Sequence, residues 1–246
     1  MFIKPYSNKT NMEIVAHRGL VQDNIKENSL DSVKNALKYK INVLEIDLRK
    51  TKDNQIVLHH NREFIIGNQG YYIDQLTLKE LKQLINITPL DEIFKIWGKN
   101  KIFLDIKVTG AEQEILNLIK KHKMEKYVVI DSFLPKVTKK FREIAPKLEY
   151  AAPFINKTWK GILWYPFYTF FFPRKAVKLK AKYIEVPAPL LKKSFIKKSH
   201  ALNLKVVGFY FKKNIEIIKA INNQIDFLML DTIEQIKFAK KLIKNK

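Results

Sequence analysis

Glu45 and Asp47 stand two residues apart in the run from Val43 to Leu48, which is otherwise apolar and of strand type. Side chains alternate faces along a strand, so these carboxylates project together, about 7 Å apart along the backbone. Two carboxylates on one face repel each other unless something positive sits between them. An oxygen-only ligand set suits a hard divalent cation, Mg²⁺ or Ca²⁺. A polar loop, Lys50 to Gln55, and a short second strand, Ile56 to Leu58, lead to His59 and His60. Two carboxylates, a return loop and an imidazole make a compact metal-plus-acid/base set. The bland alternative is an edge strand with a polar outer face. The positions of the other reactive residues, His17, Arg18, Asp105 and Lys107, decide between the two.

Those positions depend on the elements around them. Apolar runs at Glu13 to Ala16, Val43 to Leu48, Lys101 to Lys107, Tyr127 to Ile130 and Leu148 to Ala152 read as strands. Tyr183 to Val186, Lys205 to Phe209 and Phe227 to Leu230 continue the series. Amphipathic segments separate them; in the first, Leu30, Val33, Ala36 and Leu37 recur at helical spacing after Glu27-Asn28-Ser29. Thr77 and Glu80 have capping-box spacing, and Pro89 starts another helix. The stretch from His60 to Tyr72 reads as a glycine-containing loop. Parallel strands need crossovers, so regular alternation implies a parallel sheet wrapped in helices. Eight such units in 246 residues fit a closed α/β architecture, the (β/α)8 TIM barrel, better than an open sheet. The whole of 1–246 is expected to be one domain, with an aromatic-rich insertion at 156–175 after strand five.

Active sites of this fold lie at the C-terminal ends of the strands. His17 and Arg18 end the first strand, Glu45 and Asp47 lie late on the second, and Asp105 and Lys107 end the third. All six are therefore expected at one mouth, which favours chemistry over the edge strand. His122 and His200 fall on helices and are expected to be surface or boundary residues.

Composition bounds the partners. The chain lacks cysteine, which excludes disulfides and thiolate metal sites. Its N-terminus has no apolar signal core, so a cytoplasmic location is expected. The net charge is +22, and lysine dominates it, with arginine occurring five times. Between Asn156 and Lys213, thirteen lysines and Arg174 face a single acid, Glu185. Codon bias does not segregate charge, so a one-signed surface implies an anionic partner.

The ordered motifs resemble the glycerophosphodiester phosphodiesterases. The resemblance rests on His17-Arg18-Gly19, Glu27-Asn28-Ser29, Glu45-Ile46-Asp47, Thr51-Lys52-Asp53, Val57-Leu58-His59 and Asp105-Ile106-Lys107, with echoes at Ser132-Phe133 and Leu230-Asp231. It implies a barrel enzyme that hydrolyses glycerophosphodiesters to an alcohol and glycerol 3-phosphate. It further implies Glu45, Asp47 and Asp105 as metal ligands, His17 and His59 as the acid/base pair, and Arg18 and Lys107 as phosphate contacts. The chain departs from the family pattern in several places. Asp105 replaces the usual Glu, and His59-His60 replaces His-Asp. Phe209 takes the place of a tryptophan on strand seven as an aromatic wall for substrate, and the proline after Asp231 is missing.

Thr158 to Pro173 carries Trp159, Trp164, Phe167 and Phe171 among other aromatics. Its clear run is too short for a bilayer span, which needs about 20 residues. Aromatics flanked by lysines suit an interfacial, monotopic contact with an anionic membrane surface. Internal packing or an oligomer contact are the other readings, and the oligomeric state is not legible. The order of this segment and Glu185-Val186-Pro187-Ala188-Pro189 resembles the lysophospholipase-D-like branch of the family, which implies lysophospholipid substrates and attachment at the inner face of the membrane. Glu185 itself reads as support for the metal, a partner of Lys107 or a surface ion pair. The functional alternative is a catalytically weak or silent barrel that binds membrane lipid through its basic aromatic face. Nucleic acid is disfavoured, because the aromatic cluster is too contiguous and apolar for a solvated groove.

Overall fold

The computed structural model describes residues 12–154 and 165–244, with side chains from 171 onward in the second stretch. In chain order the first elements are β1 (Glu13–Val21), α1 (Leu30–Lys38), β2 (Val43–Lys50), β3 (Ile56–Leu58), β4 (Glu63–Ile66), β5 (Gln69–Tyr72), α2 (Leu78–Leu84), β6 (Thr88–Pro89) and α3 (Leu90–Trp97). Then come β7 (Lys101–Ile106), α4 (Glu112–Lys121), β8 (Val128–Asp131), α5 (Pro135–Ile144), β9 (Glu149–Pro153), α6 (Tyr165–Lys178) and β10 (Tyr183–Pro187). The last are α7 (Lys193–Ala201), β11 (Lys205–Phe209), α8 (Asn214–Asn222), β12 (Phe227–Thr232) and α9 (Ile233–Lys244). The strands are ordered β1-β12-β11-β10-β9-β8-β7-β2, with β1 also paired to β2. This is the closed (β/α)8 TIM barrel expected from the alternation. The chain divides into two compact units, Ala16–Glu149 and Met1–Val15 with Tyr150–Lys246.

In the unit Ala16–Glu149, β2 and β7 run parallel, with Asp47 opposite Asp105, and β7 pairs in turn with β8. The burial of β2 is unbroken from Val43 to Leu48, and that of β7 from Ile102 to Ile106. Strands of a parallel sheet are covered on both faces, so they read as continuous apolar runs and a carboxylate within one stands out. After β2 the chain returns antiparallel as β3, and β6 joins the far edge of β3. The stretch expected to be a loop after His60 contains a hairpin, β4–β5, in which Ile66 pairs with Gln69 around Gly67-Asn68. Gly at the first position of a two-residue turn is a hairpin signature. Beneath it, Val57, Ile73, Leu81 and Ile87 form a buried cluster with Phe64 and Ile85 packed against it.

In the other unit, β9, β10, β11 and β12 form a parallel ladder. The expected insertion at 156–175 needs correction. Its second half belongs to α6, the crossover helix between β9 and β10. Pro166 is the second residue of α6, where a missing N–H is tolerated, while Pro173 sits inside the helix. Phe172 is buried edge-on against Phe154 at 5.1 Å between ring centroids, whereas Phe171 is 56% exposed. Trp159 and Trp164 lie outside the described residues, as does the side chain of Phe167. Phe209 ends β11, half-buried and in register with Pro187. Glu185 is buried on β10, so it is no surface ion pair. Among the described residues, no helix is long and apolar enough to cross a membrane.

Candidate active site

The site is built on strand ends of Ala16–Glu149. Strand β1 does not stop at Ala16, as expected, but runs on to Val21 and carries His17 and Arg18 within it. Arg18 and Gly19 both have positive φ, 57° and 83°. A Cβ at Gly19 would lie 2.2 Å from Ser32 Oγ, so only glycine fits. The local reversal is held by the start of α1. Asn28 N donates to Arg18 O at 2.8 Å, and Ser32 Oγ donates to the same carbonyl at 3.1 Å. It aims the backbone amide of Arg18 at Glu45 Oε2, 3.0 Å away.

Glu45, Asp47 and Asp105 are all buried, and one oxygen of each lies within 4.8 Å of the others. Asp47 occupies the centre. Lys107 Nζ is 3.0 Å from its Oδ1, and Arg18 Nε is 3.0 Å from its Oδ2. Asn28 grips it twice, Nδ2 donating to Oδ2 at 2.8 Å and Oδ1 accepting from Asp47 N at 3.0 Å. Lys107 also pairs with Asp105 and lies over the Phe133 ring at 5.4 Å. Arg18 Nη1 reaches both oxygens of Glu27 at 3.0 Å, and His17 Nε2 is 3.7 Å from Glu45 Oε2.

The electrostatics follow from this crowding. Burial pushes the Glu45 carboxyl up, with the Asp47 charge adding to it, to about 8. Burial likewise raises Asp105, against the pull of Lys107. Burial also opposes ionisation of Asp47, but Lys107, Arg18 and the Asn28 hydrogen bond together hold its carboxyl below the usual range. Burial lowers Lys107, and Asp105 and Asp47 more than reverse that, so it stays charged. A trio of buried carboxylates in which one is driven to hold a proton has the donor chemistry for a hard divalent cation.

His59 and His60 follow β3. His59 N donates to Asp47 O at 3.1 Å, and the Leu48–Leu58 register sets His59 opposite Asp47. His59 Nδ1 lies 2.7 Å from Asn61 O, and His60 Nδ1 lies 2.8 Å from Asn61 Oδ1. Neither ring is bonded to a carboxylate of the trio. His122 pairs with Asp91 at 2.8 Å, and in the other unit His200 pairs with Asp226 at 2.7 Å.

Glu27 and Asn28 stand in the motif reading without a role, and Arg49 is absent from it. Arg49 Nε and Nη2 donate to His60 O at 3.2 and 2.8 Å, while Nη1 donates to Lys107 O at 3.1 Å. One guanidinium therefore ties the histidine loop to the end of β7. The available signal was an arginine on a buried strand of a lysine-dominated chain. Lysine cannot reproduce the fork. Arg49→Lys is expected to lower kcat on a phosphodiester about tenfold with KM nearly unchanged, since a small misplacement of reacting groups is costly. Steady-state kinetics beside a thermal melt check this, and an unchanged kcat would show that the clamp does not position the histidines.

A family model described as the Glycerophosphoryl diester phosphodiesterase family matches residues 17–235. A curated glycerophosphodiester phosphodiesterase of Caldanaerobacter subterraneus subsp. tengcongensis is 26% identical over 156 residues, 55% of this chain and 64% of that protein. The matched stretch thus spans less than two thirds of that relative. A solved structure from Galdieria sulphuraria aligns with a TM-score of 0.81 at 22% identity, over 95% of this chain and 100% of that one. An Oleispira antarctica phosphodiesterase, solved with its product sn-glycerol-3-phosphate, aligns at 0.75 and 19% identity, over 93% and 96%. At these identities the structural likeness speaks to the fold.

Proposed function

The chain belongs to the glycerophosphoryl diester phosphodiesterase family, and from that premise we propose that it hydrolyses glycerophosphodiesters to an alcohol and glycerol 3-phosphate. The observation that carries the reading is the buried trio Glu45, Asp47 and Asp105, with Lys107 and Arg18 packed against it. These three carboxylates would hold Mg²⁺ or Ca²⁺, which when bound supplies Lewis-acid polarisation of the phosphoryl oxygens.

The chain's own groups supply the rest. Lys107 and the Arg18 guanidinium offer fixed positive charge where charge develops on the equatorial oxygens. In His59, the Asn61 carbonyl can only accept, so Nδ1 carries the proton. The neutral ring therefore presents the Nε2 lone pair as a base, and the protonated ring presents a proton to a leaving alkoxide. His17, beside Glu45, is the second imidazole of the pair. Asn28 and Glu27 orient Asp47 and Arg18. Phe209 is proposed as an aromatic wall for substrate.

The test is release of glycerol 3-phosphate from glycerophosphocholine, run beside lysophosphatidylcholine, with EDTA and with added Mg²⁺ or Ca²⁺. Turnover is expected to vanish in EDTA and return with metal. Full activity after exhaustive chelation would remove the metal from the reading.

Lysophospholipid at an anionic membrane surface, the inner face for a cytoplasmic protein, is a second reading. It is favoured by α6, which exposes Phe171 and Val177 beside Lys175 and Lys178. Aromatic burial at an interface contributes about 25 cal/mol per Å², and each nearby lysine adds about 1 kcal/mol on an anionic surface. The chain is expected to sediment with phosphatidylserine-containing vesicles at low salt, and Phe171→Ser with Trp164→Ser and Phe167→Ser is expected to release it. Wild-type protein left in the supernatant would refute the membrane contact.

A further inference from the structure

Asp131 ends β8, 1% exposed. It carries none of the motif resemblance, which resumes only at Ser132-Phe133. The ladder places it. Asp47 pairs with Asp105 across β2 and β7, and Asp105 pairs in turn with Asp131 across β7 and β8. Side chains alternate faces along each strand, and residues paired at one level of the sheet share a face. Three aspartates therefore stand in one row, on the face that bears the trio. The far end of the row is pinned, because Ser132 Oγ donates to Ile106 O at 2.6 Å and accepts from Leu134 N at 3.1 Å.

We propose that Asp131 is an outer carboxylate of the metal centre, supporting the divalent ion from the Asp105 side through a bridging water. The inference rests on the metal-dependent reading of the site and adds a residue to it. Distance argues for the outer position. Neighbouring strands lie about 4.8 Å apart, which sets the Asp131 backbone about 10 Å from that of Asp47. Asp131 does not join the three residues whose oxygens lie within 4.8 Å of one another. A side chain as short as aspartate does not span two strand spacings, whereas a water extends its reach by one more hydrogen bond.

The state of Asp105 shows why this side needs support. Asp47 has both oxygens engaged by the chain, through Lys107, Arg18 and Asn28. Asp105 has only Oδ2 engaged, by Lys107. Its Oδ1 is buried and has no hydrogen-bond partner among the described residues, in a residue 5% exposed. A buried acceptor left unmade is unfavourable, so this oxygen points to a ligand from outside the chain. An ion on Asp105 Oδ1 would lie beside the neighbour of Asp105 in the ladder, which is Asp131. Outer carboxylates hold the groups around a metal in place, and losing one typically lowers metal affinity about 10- to 100-fold.

The test is calorimetric titration of the metal-free chain with MgCl₂ and with CaCl₂, for the wild type, Asp131→Asn and Asp131→Glu. Asp131→Asn keeps the shape and removes the charge, and is expected to weaken binding at least about tenfold. Asp131→Glu keeps the charge and is expected to stay within about threefold of the wild type. The metal concentration for half-maximal hydrolysis of glycerophosphocholine is expected to rise with the titrated constant. Melting temperatures of the metal-free chains show that each variant is folded, and Asp131→Ser takes the place of Asp131→Asn if that variant is not. Unchanged affinity in the neutral variant, or equal losses in the neutral variant and Asp131→Glu, would overturn the proposal. Failure of both neutral variants to fold would make Asp131 a structural residue and overturn it as well. Affinity lost in Asp131→Asn and kept in Asp131→Glu, in a chain inactive on the diester, supports Asp131 and sinks the activity. Activity with metal binding that ignores Asp131 sinks Asp131 and spares the activity. A wild-type chain that binds neither ion removes the metal from the site, and the role of Asp131 with it.

Discussion

His59→Ala is expected to cost at least about 100-fold in kcat on glycerophosphocholine, the low end for losing a general acid/base group, and His60→Ala far less. The two rings are neighbours and both are half-buried, so sequence position alone does not separate them. Their partners do. His59 Nδ1 faces a backbone carbonyl at 2.7 Å, which cannot donate, so its tautomer is fixed with Nε2 available. His60 Nδ1 faces the side-chain amide of Asn61 at 2.8 Å, which can turn and offer either an oxygen or an NH₂ group. The strand register sets His59 opposite Asp47, while the carbonyl of His60 is held by Arg49. One observation runs the other way: the charge of His60 is among those that hold the Asp47 carboxyl down. Reversed effects of the two substitutions would therefore make His60 the working imidazole and put the register off by one. His17→Ala is expected to behave like His59→Ala, and the double variant to be little worse than either, because groups acting as a unit are not additive.

What was legible in the chain follows from where each signal comes from. The barrel strands were legible because β2, β7, β10 and β12 are buried along most of their length and read as apolar runs. The same continuity made Glu45, Asp47 and Asp105 conspicuous. Local capping chemistry was legible too, since Ser29 and Thr77 close capping boxes within their own turns. The continuation of β1 through His17 and Arg18 was not, because the positive φ of Arg18 is supported by Asn28 and Ser32 of a later element. Arg49 was missed for the same reason: its acceptors lie 11 and 58 residues away. The hairpin β4–β5 was present in Gly67-Asn68 and passed over because the flanking residues are mostly exposed. The helix α6 was hidden by its prolines and by aromatics facing both ways, Phe172 inward and Phe171 outward.

Asp47→Asn is expected to reduce turnover by at least about 1000-fold, the upper range for removing one element of transition-state electrostatics. The side chain is 1% exposed, and both of its oxygens are committed. Oδ1 meets Lys107 Nζ at 3.0 Å, and Oδ2 meets Arg18 Nε at 3.0 Å and Asn28 Nδ2 at 2.8 Å. An asparagine must turn an NH₂ group toward one side, either against Lys107, which keeps only Asp105, or against Asn28 Nδ2 and Arg18, which then lose their acceptor. It also removes the charge that keeps Lys107 and Arg18 in position, and one charged ligand of a hard cation. Because the Asp47 charge helps to raise Glu45, its loss should let Glu45 ionise more readily, which does not restore the missing ligand. Asp105→Glu is the contrasting change: it keeps charge and burial and lengthens the reach, so metal binding should hold or tighten. Calorimetric titration of both variants with Mg²⁺ and Ca²⁺, beside their rates and melting temperatures, separates the outcomes. A folded Asp47→Asn chain that binds metal and turns over like the wild type would mean that the buried trio is not the centre of the chemistry. A large loss of metal affinity in Asp105→Glu would mean that the site is built around the shorter side chain, with Asp105 opposite Asp47 in the ladder fixing the spacing of the ligands.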